Sequence, residues 1–123
     1  MTDIVPQKPG LAGIAPNYIA VTAADRFLAL PNSKYMLHYK NGVTPTGANT
    51  FKITDTTTPT PGAATPGAGF ADAVVQNSGM VASTELVQVI DNSTRFRDTN
   101  GFVNLTHTGG TLTTVSVAVI GPL

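Results

Sequence analysis

Cysteine and tryptophan are both missing from this 123-residue chain, and charge is scarce. Without cysteine there are no disulfides and no thiolate to act as nucleophile or metal ligand. Charged residues make up 11% of the chain, against ~25% in typical soluble domains. Seven basic residues are matched by seven acidic ones, and neither sign is clustered. The electrostatic footprint expected of a partner for nucleic acid or for an anionic membrane is therefore absent. No stretch approaches the roughly 20 apolar residues that span a bilayer. The start, Met1-Thr2-Asp3-Ile4-Val5-Pro6, has neither the basic nor the apolar region of a signal peptide. The expectation is a protein made in a cytoplasm and used in folded form.

Catalytic patterns are missing as well. Histidine occurs only at positions 38 and 107, each within a strand-like run and neither with a neighbour at metal-ligand spacing. Lone histidines of this kind are ordinarily structural. Serine and threonine are plentiful, yet none sits in a Gly-x-Ser-x-Gly elbow. Gly62 to Gly67 is not followed by the Lys-Ser/Thr of a phosphate-binding loop. Asp98-Thr99-Asn100-Gly101 opens like a calcium loop but lacks the later oxygen ligands and closing glutamate, so it reads as a turn. The sequons at Asn92-Ser93-Thr94 and Asn104-Leu105-Thr106 are read as chance matches, and Arg95-Phe96-Arg97 as a rim or strand-end cluster. The chain reads as a non-enzyme with no cofactor and no metal.

What remains is Thr, Asn, Ser and Gly on a surface of low charge density. Such groups are far cheaper to bury against another protein than ions are. The length suits one domain. Residues 1–16 hold three prolines and two glycines and read as an extended N-terminal arm, because proline removes donors and glycine adds backbone entropy. The domain proper spans 17–123. Within it, residues 55–69 form a long loop of Thr, Pro, Gly and Ala, of the kind that tends to be disordered or functional. Elsewhere short runs alternate with a two-residue period: Tyr35, Leu37 and Tyr39; Phe51 and Ile53; 72–77; 85–91; Phe102 to Thr106; Thr113 to Ile120. A short helix is an alternative only at Ala20 to Leu30. With no helical crossovers in view, the fold expected is all-β, a small antiparallel β-sandwich or barrel.

The final two runs read as a hairpin. A three-residue Gly109-Gly110-Thr111 loop would set Leu105 opposite Val115 and Val103 opposite Val117, whereas a two-residue loop would put Leu105 on the wrong face. Those four side chains are assigned to the core.

Several segments, taken in order, resemble a family of small head-decoration, or capsid cement, proteins of tailed bacteriophages. They are Gly13-Ile14-Ala15-Pro16-Asn17-Tyr18, Ala24-Asp25-Arg26-Phe27, Tyr35-Met36-Leu37-His38-Tyr39-Lys40-Asn41-Gly42, and Asn100-Gly101-Phe102-Val103-Asn104-Leu105-Thr106 followed by Val115 to Val119. The 55–69 stretch departs from the family pattern. The resemblance implies a β-sandwich or barrel that sits on the outside of the virion head. There it would brace neighbouring major capsid subunits, often as a homotrimer.

An arm that orders on a partner must recover backbone entropy of ~1–2 kcal/mol per residue. Ile4, Val5, Leu11 and Ile14 are accordingly the expected capsid- or subunit-binding residues, with the 55–69 loop beside them. Two other readings stay open: a carbohydrate-binding or adhesin-type sandwich, which would want exposed aromatic platforms, and a tail or head-fibre module.

Overall fold

The computed structural model describes residues 1–11, 13–54, 73–76, 79, 80 and 82–123, with 73–76 described by backbone alone. The 55–69 loop lies outside the described residues. Among the described residues nine strands follow one another: β1 (Thr2–Ile4), β2 (Ile19–Ala20), β3 (Ala24–Leu28), β4 (Tyr35–Asn41), β5 (Thr50–Ile53), β6 (Ala73–Gln76), β7 (Glu85–Ile90), β8 (Phe102–Thr108) and β9 (Val115–Ile120). They form a five-stranded sheet ordered β1-β3-β8-β5-β6 and a four-stranded sheet ordered β2-β9-β4-β7. The pairings between these strands are antiparallel except β1 with β3. The fold is an all-β sandwich, as the alternation of the sequence implies. Within Ala20 to Leu30 the chain forms the end of β2 and strand β3 rather than a helix: Asp25 and Phe27 point inward while Ala24, Arg26 and Leu28 point out.

The inward sets of both sheets make one core. Phe27, Leu37, Tyr39, Phe51, Val103, Leu105 and Val117 are wholly buried, with Tyr35, Ile53, Val115 and Val119 nearly so. The assignment of Val103, Leu105, Val115 and Val117 to the core is correct, but the hairpin that suggested it does not exist. β8 pairs with β3 and β5, whereas β9 pairs with β2 and β4. The link 109–114 crosses from one sheet to the other. Its glycines serve close approach instead of a hairpin: Gly109 and Gly110 have φ of 76° and 65°. A Cβ on Gly109 would lie 2.9 Å from the Ala48 carbonyl oxygen, and one on Gly110 would collide with that of Thr46.

The first residues of the segment read as an extended arm join the sandwich. β1 adds to the edge of the five-stranded sheet, opposing Thr2 to Asp25 and Ile4 to Phe27. Three residues later Gln7 bridges to Ile120 in the other sheet, with its N–H donating to Val119 O (2.9 Å) and its carbonyl accepting from Gly121 N–H (2.7 Å). Residues 2–7 thus strap the two sheets together along one open side. The Gln7 side chain extends the strap, donating to Ala15 O (3.1 Å) and accepting from Asn17 N–H (2.6 Å).

A polar chain runs through the core. Asp25 accepts N–H bonds from Thr2 (3.2 Å) and Thr22 (2.8 Å), and the Thr22 hydroxyl also lies against it. His107 Nδ1 is 2.8 Å from Thr22 O and 3.3 Å from Asp25 Oδ2. A carbonyl can only accept, so Nδ1 carries the proton. Nε2 of the neutral ring then accepts from the Tyr39 hydroxyl, 2.9 Å away on the opposite sheet. Phe51 packs against both rings, stacked on Tyr39 at 5.0 Å and edge-on to His107 at 4.9 Å. Burial pushes the Tyr39 hydroxyl far above its ordinary pKa, so it keeps its proton to donate.

Burial, the largest influence, holds the His107 pKa below its ordinary value against the opposing pull of Thr22 and Asp25. The unfolded chain therefore binds a proton that the folded chain refuses. That stability is complete above the ordinary imidazole pKa of about 6.5 and is lost as pH falls below it toward the lowered folded value. Urea unfolding of the wild type is expected to show a midpoint that drops between pH 7.5 and pH 5. The His107→Gln variant is expected to be less stable at pH 7.5 by about 1–3 kcal/mol, through the lost hydrogen bonds, and to have a flatter pH profile. A variant as steep as the wild type contradicts the assignment.

Candidate docking surface

On the outer face of the five-stranded sheet, side chains that alternate away from the core meet at the strap. Leu28 leaves the end of β3 pointing outward and is 59% exposed. Phe102, its partner at the start of β8, also points outward. Val5 follows the inward Ile4 and so turns outward, 77% exposed. Together with Asp3, Ile4 and Pro6 they line a concavity of about 390 Å³. The strap makes the concavity: without residues 3–6 the β3–β8 face has no wall on that side.

One ion pair fixes its rim. Arg26 Nε donates to Asp3 Oδ1 at 2.7 Å, linking β3 to β1. The same guanidinium sits 3.9 Å from the Phe102 ring centroid, a geometry in which a weakly hydrated cation is attracted to the ring face. The hydrogen bond from Arg26 holds the Asp3 carboxyl below its usual range, and Asp3 in turn raises Arg26. The ring is thereby oriented. Behind it, the Asp98–Gly101 segment is the turn its residues suggest. Asp98 accepts from the N–H groups of Asn100 and Phe102 (both 2.9 Å) and from the Asn104 amide (3.0 Å). Its oxygens are committed to shaping the β8 start. Arg97, in the neighbouring basic cluster, donates to Ala29 O (2.7 Å), while Phe96 is buried.

The four residues expected to bind a partner are separated by the structure. Ile4 is 3% exposed and belongs to the chain's own core, a correction that follows from β1 pairing into the sheet. Val5 lies in the concavity. Leu11 is fully exposed but outside it, and Ile14 is half-buried on the strap's continuation. Leu28 and Phe102 were not picked out from sequence. Alternation with Phe27 and Val103 marks both as outward-facing, but nothing in the sequence brings Val5 beside them.

The two histidines find partners far away in sequence. His107 meets Asp25, a pairing that in a cleft would suggest a base and its orienting acid. Here the side chains are 0% and 1% exposed. Sealed in this way, the pair serves the interior, and His107 carries the contact on to Tyr39 of the other sheet. His38 is half-buried on the outer face of the four-stranded sheet. Its Nδ1 is 2.7 Å from the Tyr18 hydroxyl and its Nε2 is 3.2 Å from Glu85. Lys40 Nζ lies 4.3 Å from the Tyr18 ring centroid. This cluster fastens the segment before β2 across β9 onto β4. Among the described residues no group of three or more His, Asp or Glu is placed to hold a metal ion.

The strap and the concavity it walls are separable by mutation. Deleting residues 1–12 is expected to destabilise the domain by about 2–5 kcal/mol or more, the cost scale of removing a buried side chain such as Ile4. The double variant Val5→Ser, Leu28→Ser is expected to stay within about 1 kcal/mol of the wild type, as exposed substitutions do. Denaturant midpoints check both, and a truncated chain as stable as the full one contradicts the strap.

Among known proteins, no family model, no curated relative and no solved structure matches this chain.

Proposed function

We propose that this protein is a structural component of a virion that binds the exterior of a tailed-phage head and stabilises the lattice of major capsid subunits. The observation that carries the proposal is the apolar concavity of Val5, Leu28 and Phe102, held open by the strap and ringed by the Asp3–Arg26 pair. Solvent-facing apolar side chains gathered into one concave place mark interaction sites on soluble proteins. The resemblance of the 13–18, 24–27, 35–42, 100–106 and 115–119 segments to capsid cement proteins supplies the partner's identity. The low charge supports a protein partner over nucleic acid or lipid.

The mechanism is mechanical. A rigid sandwich fills a depression between capsid subunits, and a small apolar contact repeated over many lattice positions adds up to firm attachment. Rigidity matters because an ordered strap loses no backbone entropy on docking, whereas a free arm would. The resemblance also implies three copies around each binding position. A carbohydrate-binding reading is less favoured by the aromatic side chains. Tyr35 and Tyr39 are in the core, and Lys40 lies over the ring of Tyr18.

Mixing purified protein with undecorated heads and sedimenting them tests the proposal. The wild type is expected to co-sediment and to raise the temperature at which heads rupture. The Val5→Ser, Leu28→Ser variant is expected to bind at least tenfold more weakly while remaining folded. Failure of the wild type to bind any head, or binding to tails alone, overturns the reading.

A further inference from the structure

The sandwich has four sheet edges, and they are not alike. β1 has three residues, β2 has two, and β6 has four with a register shift where it pairs with β5. Short and irregular edges resist pairing with other chains. β7 is different: it has six residues, Glu85-Leu86-Val87-Gln88-Val89-Ile90, paired in unbroken register with β4. It contains no proline, glycine or lysine, the residues that usually blunt an edge.

The direction of its hydrogen bonds follows from the ladder. Asn41 N–H donates to Thr84 O at 2.9 Å, so residues 84, 86, 88 and 90 face β4 in the antiparallel alternation. The N–H and C=O groups of Glu85, Val87 and Val89 consequently point away from the sheet, where no described strand lies beyond them. Their side chains lie on the outer face, and Val87 and Val89 are 52% and 42% exposed. Among the described residues, one of these outward carbonyls has a partner from its own chain: Val89 O accepts from the Gln88 amide at 3.1 Å.

We infer that the β7 edge is a self-association site, where two copies of this chain pair β7 to β7 in antiparallel fashion about a two-fold axis. One observation selects a second copy as the occupant, and another selects its orientation. The first is length: of the described edges, only β7 itself matches a six-residue edge. The second is charge. Glu85 is the edge's single ionised side chain and stands at one end. A parallel alignment would set it against its own copy, while the antiparallel one does not. Requiring the outward-facing residues to bond one another fixes the register. Val87 opposes Val87 of the second copy, and Glu85 opposes Val89 of the second copy. In that register the Glu85 N–H of one copy replaces the Gln88 amide on Val89 O of the other, so no carbonyl is left unpaired. The two four-stranded sheets become one of eight strands. This contact is two-fold and isologous, distinct from a three-fold ring, and it requires no capsid.

Charge substitution at the axis tests both the contact and its register. The wild type is expected to show a concentration-dependent dimer of twice 12.7 kDa in native mass spectrometry and sedimentation equilibrium. Val87→Lys and Val87→Glu each place like charges opposite one another and are expected to weaken the dimer at least tenfold. An equimolar mixture of the two is expected to recover a dimer containing one chain of each. Val87→Pro removes only an outward N–H and is expected to give a folded monomer by circular dichroism. A wild type that stays monomeric at all concentrations overturns the inference, as does an oligomer of any size that Val87→Lys leaves intact. Because the measurement uses the protein alone, its failure leaves head binding untouched, and failure of head binding leaves it untouched.

Discussion

Asp25 is a carboxyl group with 1% exposure in the middle of a β-sandwich, and burying such a group is costly unless its oxygens are filled. The structure fills them from three directions: the backbone of β1 at Thr2, the turn at Thr22 and the imidazole of His107. His107 then passes the chain of hydrogen bonds to Tyr39 on the opposite sheet. Most of the architecture serves this requirement. β1 must dock for Thr2 to donate, the 21–23 turn must be tight, and the sheets must close to the distance that joins Tyr39 to His107. Apolar burial supplies the larger share of stability, but it is non-directional and would tolerate small slips between the sheets. The polar chain does not, since a slip leaves a buried donor or acceptor unpaired.

The strap follows from the same constraint. A three-residue strand at a sheet edge is too short to be stable on its own account. β1 is held because Thr2 is anchored at Asp25, Ile4 is in the core, and Gln7 is bonded to the second sheet. Once fixed there, the chain has to turn Val5 outward. The candidate docking surface is thus a by-product of how the core is closed on that side.

Sequence alternation was informative about faces and silent about neighbours. Tyr35, Leu37 and Tyr39, or Val103 and Leu105, announce an inward face by period alone, and all of them are in the core. The period carries no record of which strand lies alongside. Val115 and Val117 satisfy the inward pattern equally well as hairpin partners of β8 or as members of the opposite sheet. Gly109 and Gly110 suit either link, since their left-handed backbone is needed for a tight turn and for close approach to the 46–48 segment alike. The inward position of Ile4 is illegible for a related reason: Pro6 and Pro9 make the segment look irregular, and three residues give no period to read. The meeting of His107 with Asp25 joins residues from distant strands, which no local spacing rule can anticipate. Leu28 and Phe102 were legible as outward side chains, but the wall that turns them into a concavity comes from the far end of the chain.

The two ends of the sandwich are consequently closed by different means, and this shapes what each can do. On the β1 and β2 side the strap spans both sheets and bonds to each, and the recognition proposed there works through side chains in a concavity. On the β7 side the backbone itself is on offer, with a regular edge and small β-branched side chains that let another strand approach. Side-chain recognition is specific to the shape of a partner, while an exposed edge accepts an extended strand of almost any sequence unless charge forbids it. A chain with so few charges has little means of discouraging such contacts. Glu85 is half-committed to His38, and Gln88 shields a single carbonyl. An edge this long and this lightly guarded, on a protein that blunts its other edges by brevity or by a bulge, is best understood as one that is meant to be occupied.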